Sequence, residues 1–362
     1  MPWSKRLRKL VRCGLFPAFA MLCLLFLSGP PRVVKSQVDY VWDLELGTGR
    51  VRLRRGDFDG ALESSKRANE MLGKKCGEEW LKRTCAEAFN LMAEAYIGLE
   101  SYKKAVDAAD QAIVLSGDKA QIGWGYNNKG LALQAWANKK DQKKLQAAEA
   151  TFRQGLALEG PISALRYNLG VTLLQMNRDR EGVAELHQYI KNEPNGEFIE
   201  AARKMAVNPR RARESYAPDF SFTSSDGKQM SLEDLQGKVV LLDFWATWCG
   251  PCVESVPELR LLHQKYSQNP SFVLISISVD RDEEVWREFT QKYRMEWPQY
   301  RDKDRRIVRA FEVSSFPTYV IIDHEGIVRH RTVGLDWSGS SGLDNAIKKQ
   351  MKLVAKSRAS PQ

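Results

Sequence analysis

The sequence holds few residues of the kinds that bind metals. Its 362 residues include four histidines, and a structural zinc site needs about four cysteine or histidine ligands, usually supplied as two pairs. No histidine pair stands beside the cysteines at such a spacing; the histidines are His187, His263, His324 and His330. This scarcity argues against a metal site, and we expect no cofactor.

The N-terminus lacks both acidic residues and an apolar run of comfortable membrane-spanning length. Residues 1–36 contain seven Lys/Arg and no Asp/Glu, and the apolar run at 14–27 is shorter than the ~20 residues that a spanning helix needs. A basic start followed by a short apolar run is typical of a signal peptide. We therefore expect a signal peptide at 1–36, cut before Gln37, with a retained membrane anchor as the alternative. Either way the protein is expected to be exported, to the periplasm or another extracytoplasmic compartment.

The positive charge is concentrated in one part of the chain. The net charge is +10, but residues 217–362 hold 20 basic and 20 acidic residues. A nucleic-acid-binding domain would carry a basic patch of its own. Because most of the imbalance belongs to the N-terminal segment, we expect no nucleic-acid partner.

Four segments between residues 40 and 196 share one pattern. They share a small residue midway through one expected helix and, in the next helix, Ala or Gly about 12 and 19 residues later, with about six extra residues in the turn of the third segment. Small residues let paired helices approach closely, while larger side chains fill the groove between them. The residues of the pattern are Gly49, Ala61 and Ala68, then Ala93, Tyr96, Ala105 and Ala112, then Gly130, Ala148, Phe152 and Gly155, and finally Gly170, Gly182, Leu186 and Pro194.

Helix pairs that repeat near every 34 residues resemble tetratricopeptide repeats. The resemblance implies an all-α domain at 37–206, with about four repeats and a capping helix at 197–206. Its exposed concave face is expected to bind a peptide or protein ligand. A basic, proline-bounded linker is expected at 207–217. An unrelated helical bundle is the alternative.

After Pro218 the pattern changes to strands that alternate with helices. The runs "KVVLLDFWA" and "SFVLISISVD" are typical of buried strands, and "EEVWREFTQKY" is typical of a helix. The segment "TYVIIDHEGIVRHRTV" predicts two strands around a Glu-Gly turn. The alternation predicts an α/β domain at 218–355, followed by a short tail at 356–362.

Cys249 and Cys252 lie three positions apart where a strand gives way to a helix. A disulfide that closes so short a loop gains little stability, so a structural role explains the pair poorly. A helix N-terminus favours the thiolate of the first cysteine and lowers its pKa. The second cysteine, nearly one turn later, is placed to attack a mixed disulfide. The spacing therefore predicts a redox-active pair, with Cys249 as the nucleophile and Cys252 as the resolving thiol.

The segment "VVLLDFWATWCGPC" resembles the active-site segment of thioredoxin. The wider stretch from 216 to 355 is similar to the TlpA/ResA group of exported thioredoxin-like reductases. This resemblance implies a thioredoxin fold, a protein disulfide as substrate and a transmembrane thiol donor that recharges the cysteines.

The resemblance also implies roles for further residues. Asp243 stands where thioredoxin has a buried acid that helps to deprotonate the resolving thiol, although most of the exported group differs there. Pro317 matches the cis-proline that faces the cysteines, and Phe316 replaces the common threonine before it. Substrate contacts are implied for four residues beside the pair or the proline: Trp248, Gly250, Pro251 and Phe316.

Cys76 and Cys85 bracket the turn "GEEWLKRT" between two expected repeats. An oxidising compartment allows cysteines to form disulfides, and a bridge here would close an unusually long turn. We expect a structural disulfide. Two reduced core thiols and a second redox pair are the alternatives.

Together these patterns predict an exported thiol-disulfide oxidoreductase that reduces protein disulfides and whose repeats recruit a partner. The reducing direction follows from the Gly-Pro dipeptide between the cysteines and from Asp243, both of which resemble reducing thioredoxins. One alternative is a protein-binding scaffold with a non-catalytic docking domain. Another is a thiol peroxidase, although such enzymes carry a threonine three residues before the reactive cysteine, where this sequence has Ala246.

Overall fold

The computed structural model describes residues 39–158, 160, 162–334 and 342–359. The expected signal peptide or anchor at 1–36 lies outside the described residues. Among the helices that are described, none is both long enough and apolar enough to cross a membrane. The chain divides into two compact units, and the division falls between Arg213 and Glu214 in the sequence.

The described residues of the first unit form helices and turns. Four successive helix pairs are followed by a single helix: α1 (Asp39–Arg55) and α2 (Phe58–Leu72), α3 (Lys82–Gly98) and α4 (Tyr102–Leu115), α5 (Lys119–Ala137) and α6 (Gln142–Leu156), α7 (Ser163–Gln175) and α8 (Asp179–Asn192), then α9 (Ile199–Val207). Short 3₁₀ helices lie at Gly73–Gly77, Glu79–Leu81 and Pro209–Ala212. The prediction of an all-α first part is confirmed, and the pairing of its helices agrees with a repeat.

Neighbouring helices of this unit approach each other closely at glycines. A Cβ atom added to Gly130 would lie 2.3 Å from the ring of Phe152, and one added to Gly98 would lie 2.3 Å from the ring of Phe58. No real Cβ atom tolerates such a distance. Larger residues at these two positions would therefore push the helices apart.

Buried polar side chains join helices of successive pairs. Asn168 Nδ2 donates to Asn127 Oδ1 at 2.8 Å, and Gln134 Nε2 donates to Thr172 Oγ1 at 2.7 Å. Both hydrogen bonds connect α5 with α7. Because a buried polar group without a partner is costly, these bonds fix how the two helices align.

The second unit is built on a five-stranded mixed sheet. Its strands are β3 (Val239–Trp245), β4 (Phe272–Ser278), β5 (Gln299–Arg301), β6 (Thr318–Ile322) and β7 (Val328–Val333), in the spatial order β5-β4-β3-β6-β7. Strands β3, β4 and β5 run parallel, whereas β6 and β7 are antiparallel to their neighbours. A separate two-stranded sheet consists of β1 (Ser221–Thr223) and β2 (Gln229–Ser231).

The described residues of the second unit also form four helices: α10 (Gly250–Tyr266), α11 (Glu283–Lys292), α12 (Arg306–Ala310) and α13 (Leu343–Ala359). Two β-α-β units with parallel strands, β3 to β4 and β4 to β5, are followed by the antiparallel hairpin of β6 and β7. This arrangement is the thioredoxin fold, so the predicted fold class is confirmed. All seven residues of the central strand β3 are buried. This burial explains the unbroken apolar run in that part of the sequence.

Residues 207–217, expected as a linker, have local structure of their own. Ala212 is buried in the first unit, and Arg213 Nη2 donates to Asp179 Oδ2 at 3.0 Å. Two residues later, the Ser215 carbonyl accepts a hydrogen bond from Val328 N at 2.8 Å. The second unit therefore begins at Glu214, four residues before Pro218.

Candidate active site

Cys249 and Cys252 are joined by a disulfide at the start of α10. Cys249 is the N-cap residue of this helix, and its Sγ accepts a hydrogen bond from Cys252 N at 3.3 Å. Cys249 is 7% exposed and Cys252 is 1% exposed. An incoming thiol or disulfide can therefore reach Cys249 more readily than Cys252.

Gly250 and Pro251 form the first two positions of α10, and both are exposed. Pro251 suits this position because the first backbone N–H groups of a helix have no intrahelical partner. A Cβ atom added to Gly250 would have no atom of the described residues within 4 Å, apart from its chain neighbours and the nearby backbone of α10. The surface over this dipeptide is open.

Trp248 projects from a loop that is anchored at the end of β4. The Asp280 carboxylate accepts hydrogen bonds from Thr247 N at 3.0 Å and from Thr247 Oγ1 at 2.7 Å. Ser278 Oγ donates to the same carboxylate at 2.6 Å. The sequence analysis did not identify Asp280, although an acidic residue shortly after a buried strand could have indicated a functional position.

Phe316 lies beside the cysteine loop and precedes a cis peptide bond to Pro317. Its ring meets that of Trp248 edge-on, and the guanidinium of Arg305 lies 5.9 Å from its centroid. Pro317 is buried, whereas Phe316 is half-buried. The structure thus brings Trp248 and Phe316, 68 positions apart in the sequence, onto one face next to Cys249.

Asp243 is a buried acid within the central strand, with 1% of its surface exposed. It pairs with Ser276 on β4 and with Tyr319 on β6. Burial raises the pKa of its carboxyl to about 7, while a hydrogen bond from Ser276 acts in the opposite direction. Burial, and then the charge of Asp243, raise the pKa of Tyr319. Asp243 can therefore gain or lose a proton near neutral pH.

Ser276 and Trp297 connect to Asp243 through buried hydrogen bonds that sequence reasoning missed. Ser276 Oγ donates to Asp243 Oδ2 at 2.7 Å, and Trp297 Nε1 donates to Ser276 Oγ at 2.8 Å. The run "ISIS" in β4 could have indicated them, because it places serines in an otherwise apolar strand. Buried hydroxyl groups need hydrogen-bond partners.

Cys76 and Cys85 form a second disulfide, in the first unit, with their Cα atoms 5.8 Å apart. It ties the 3₁₀ helix Gly73–Gly77 to α3. Cys85 is fully buried. This bridge closes the turn between two helix pairs.

Comparisons with known proteins concern the second unit. The family model described as AhpC/TSA matches residues 214–331, a range that holds Asp243, Cys249, Cys252 and Pro317. A thiol-disulfide oxidoreductase ResA of Bacillus cereus is 35% identical over 118 residues, which are 33% of this chain and 68% of that protein. The thioredoxin-like protein YneN of Bacillus subtilis is 37% identical over 119 residues, which are 33% of this chain and 69% of that protein.

A solved structure of a thiol-disulfide oxidoreductase from Bacteroides fragilis is 28% identical. The match covers 37% of this chain and 98% of that chain, with a TM-score of 0.34. The likeness to ResA extends over more than two thirds of that protein, and the matched family range contains both cysteines. This chain belongs to the TlpA/ResA-like family of thiol-disulfide oxidoreductases.

Proposed function

We propose that this protein is an exported reductase of protein disulfides in which Cys249 and Cys252 alternate between dithiol and disulfide. The Cys249 thiolate attacks a substrate disulfide, which releases one substrate thiol and leaves a mixed disulfide. Cys252 then attacks Cys249 Sγ, which releases the second substrate thiol and forms the Cys249–Cys252 bond. Two electrons pass from the dithiol to the substrate.

The observation that carries this proposal is the placement of the pair at the start of α10. Cys249 caps the helix and lies nearer to the surface, whereas Cys252 is buried behind it. Unpaired N–H groups at a helix N-terminus stabilise a thiolate. Cys249 is therefore suited to attack first, and Cys252 is suited to intramolecular resolution.

Asp243 is the proposed base that takes the proton of Cys252. Its pKa of about 7 supports this role, because a base works best when its pKa lies near the working pH. Asp243 also stands six residues before Cys249, within β3, the strand that leads into the cysteine loop.

The proposed substrate surface consists of residues around Cys249. Trp248 is 65% exposed, and the space over Gly250 is open. Pro251 and Phe316 complete this surface, and the buried Pro317 follows Phe316 in the chain. An extended segment of the substrate protein would lie across it with its disulfide at Cys249 Sγ.

Two further parts of the proposal concern the partners of the protein. In an oxidising compartment, the spent Cys249–Cys252 disulfide would have to be reduced again, which we assign to a transmembrane thiol donor. The helical first unit would bind a peptide or protein ligand and so recruit the partner. The helix pairs of that unit support a repeat surface of this kind.

Insulin reduction tests the proposal and separates it from a scaffold. With dithiothreitol as the donor, the wild-type protein should accelerate precipitation of the insulin B chain, and Cys249→Ser should abolish the acceleration. A Cys76→Ser/Cys85→Ser double variant is the matched control and should keep it. Equal rates for wild type and Cys249→Ser would favour the scaffold.

A thiol peroxidase is the second candidate, since the matching family model is that of AhpC/TSA. Ala246 occupies the position where such enzymes of this fold carry a threonine. We therefore expect the reduced protein to consume hydrogen peroxide no faster than free cysteine does. Rapid consumption that depends on Cys249 would favour the peroxidase.

A further inference from the structure

A line of three buried side chains runs across the parallel part of the sheet, from Asp243 through Ser276 to Trp297. Asp243 and Ser276 occupy opposite positions on β3 and β4, and Ser276 in turn faces Gln299 on β5. Trp297 lies two residues before Gln299. The exposed fractions are 1% for Asp243, 0% for Ser276 and 3% for Trp297.

The hydrogen bonds along this line have a fixed direction. An indole N–H can donate but cannot accept, so Trp297 Nε1 must donate to Ser276 Oγ. The serine hydroxyl has a single hydrogen, and the acceptor that the described structure offers it is Asp243 Oδ2 at 2.7 Å. Each donor thus points toward the aspartate.

This direction decides which oxygen of Asp243 can carry a proton. If Oδ2 were protonated, it would donate to Ser276 Oγ, and the serine hydrogen would lose its acceptor. Oδ1 accepts no hydrogen bond from the described residues, so a proton on Oδ1 leaves the bonds from Ser276 and Trp297 as they are.

We propose that Ser276 and Trp297 are positioning residues for Asp243: they hold Oδ2 as a permanent acceptor and confine the exchangeable proton to Oδ1. This inference rests on the proposed role of Asp243 as the base for Cys252. A single proton-bearing oxygen gives the proton one route between the aspartate and the thiol. Neither Ser276 nor Trp297 touches the reacting atoms in this account.

Other titratable groups among the described residues lie beside this line. Tyr319 from β6 pairs with Asp243, and its raised pKa keeps it neutral at physiological pH. Cys252 of helix α10 does not titrate in the disulfide form. The His263 ring lies 5.5 Å from that of Trp297, and burial lowers its pKa although Glu296 acts in the opposite direction. The oxidised protein therefore allows Asp243 to be titrated without interference from the thiols.

Infrared titration of the oxidised full-length protein tests the inference. The carboxylic-acid C=O band of Asp243 is assigned by subtracting the spectrum of Asp243→Asn. Its midpoint should lie near pH 7 in the wild type. Ser276→Ala should raise the midpoint by about one to two pH units, because it removes a hydrogen bond to the ionised carboxylate.

Further variants distinguish the effect of losing the hydrogen bond from the effect of disturbing the strand in general. Ser278→Ala removes another fully buried hydroxyl from the same strand, one that donates to Asp280 instead, and should leave the midpoint of Asp243 unchanged. Ser276→Thr keeps the hydroxyl and should restore the wild-type midpoint. Trp297→Phe should raise the midpoint by less than Ser276→Ala, since the hydroxyl is still present but is no longer polarised by the indole.

Turnover of a fluorogenic disulfide peptide provides the functional readout. Ser276→Ala should be about five- to fifty-fold slower at pH 7 and should recover near pH 9, where its Asp243 is ionised again. Asp243→Asn should stay slow at both pH values. A Ser276→Ala midpoint equal to that of the wild type would overturn the inference. Undiminished turnover by Asp243→Asn would instead overturn the proposed base, together with the inference that rests on it.

Discussion

Trp248 and Phe316 meet edge to face, with their ring centroids 6.1 Å apart and their planes at 83°. Trp248 is nevertheless 65% exposed, so most of its indole is available to a substrate beside Cys249. We expect Trp248→Ala to raise the KM for a disulfide peptide by about five- to tenfold, since an aromatic contact contributes roughly 1 kcal/mol.

The matched control for this prediction is Trp80→Ala. Trp80 is 57% exposed but belongs to the first unit. Its replacement should leave the KM of a short peptide unchanged. Equal effects of the two substitutions would contradict a substrate surface at Trp248.

The two active-site cysteines should differ in reactivity once the disulfide is reduced. Cys249 caps α10 and should react with iodoacetamide well below pH ~8.5, the value at which free cysteine titrates. Cys252 is buried and should react above that pH. Mass spectrometry of peptides alkylated across a pH series measures both. A single common midpoint near 8.5 would argue against the assigned roles.

Asp243 should make stability depend on pH. Its pKa is about 7 in the folded protein against an ordinary value of 3.8 for aspartate, so the folded state binds a proton more tightly than the unfolded state. The free energy of unfolding should therefore fall as pH rises from about 4 to 7 and then level off.

Asp243→Asn removes this penalty because an amide does not ionise. The variant should gain on the order of 4 kcal/mol at pH 8 and almost nothing at pH 4. Thermal unfolding of the oxidised protein at both pH values measures the difference. The same change in Tm at pH 4 and pH 8 would contradict the buried, titrating carboxyl.

The central strand and the cysteine pair could be predicted because their signals are local. The run "KVVLLDFWA" is apolar throughout since β3 is buried at every position. Cys249 and Cys252 lie within one helical turn, so their spacing alone places them together. Asp243 is a charged residue inside that apolar run, and the resemblance to thioredoxin implies a buried acid at its position.

Ser276 and Trp297 could not be found in this way because their partners are distant in the sequence. The hydrogen bond between Ser276 and Asp243 spans 33 residues, and that between Trp297 and Ser276 spans 21. Only the parallel register of β3, β4 and β5 brings the three together. The same reason applies to the hydrogen bond between Asn168 and Asn127 in the helical unit. It spans 41 residues and could not be predicted from the sequence.

The Cys76–Cys85 bridge should stabilise the first unit and leave catalysis alone. It joins residues 9 positions apart, and a loop of about ten residues contributes about 3 kcal/mol by the chain-entropy model. We expect the Cys76→Ser/Cys85→Ser variant to lose helical circular dichroism at a lower temperature than the wild type. Peptide turnover should not change. An unaltered melting temperature, or a loss of turnover, would contradict a purely structural bridge.

The most direct test of disulfide exchange at this site is to trap the mixed disulfide and locate it. Reduced Cys252→Ser protein is incubated with an oxidised disulfide peptide, digested without reductant and mapped by mass spectrometry. One equivalent of peptide should be bound to Cys249, with no comparable accumulation in Cys249→Ser protein. Peptide bound mainly to Cys252 in the Cys249→Ser variant, with little or none on Cys249 in the Cys252→Ser variant, would contradict this prediction.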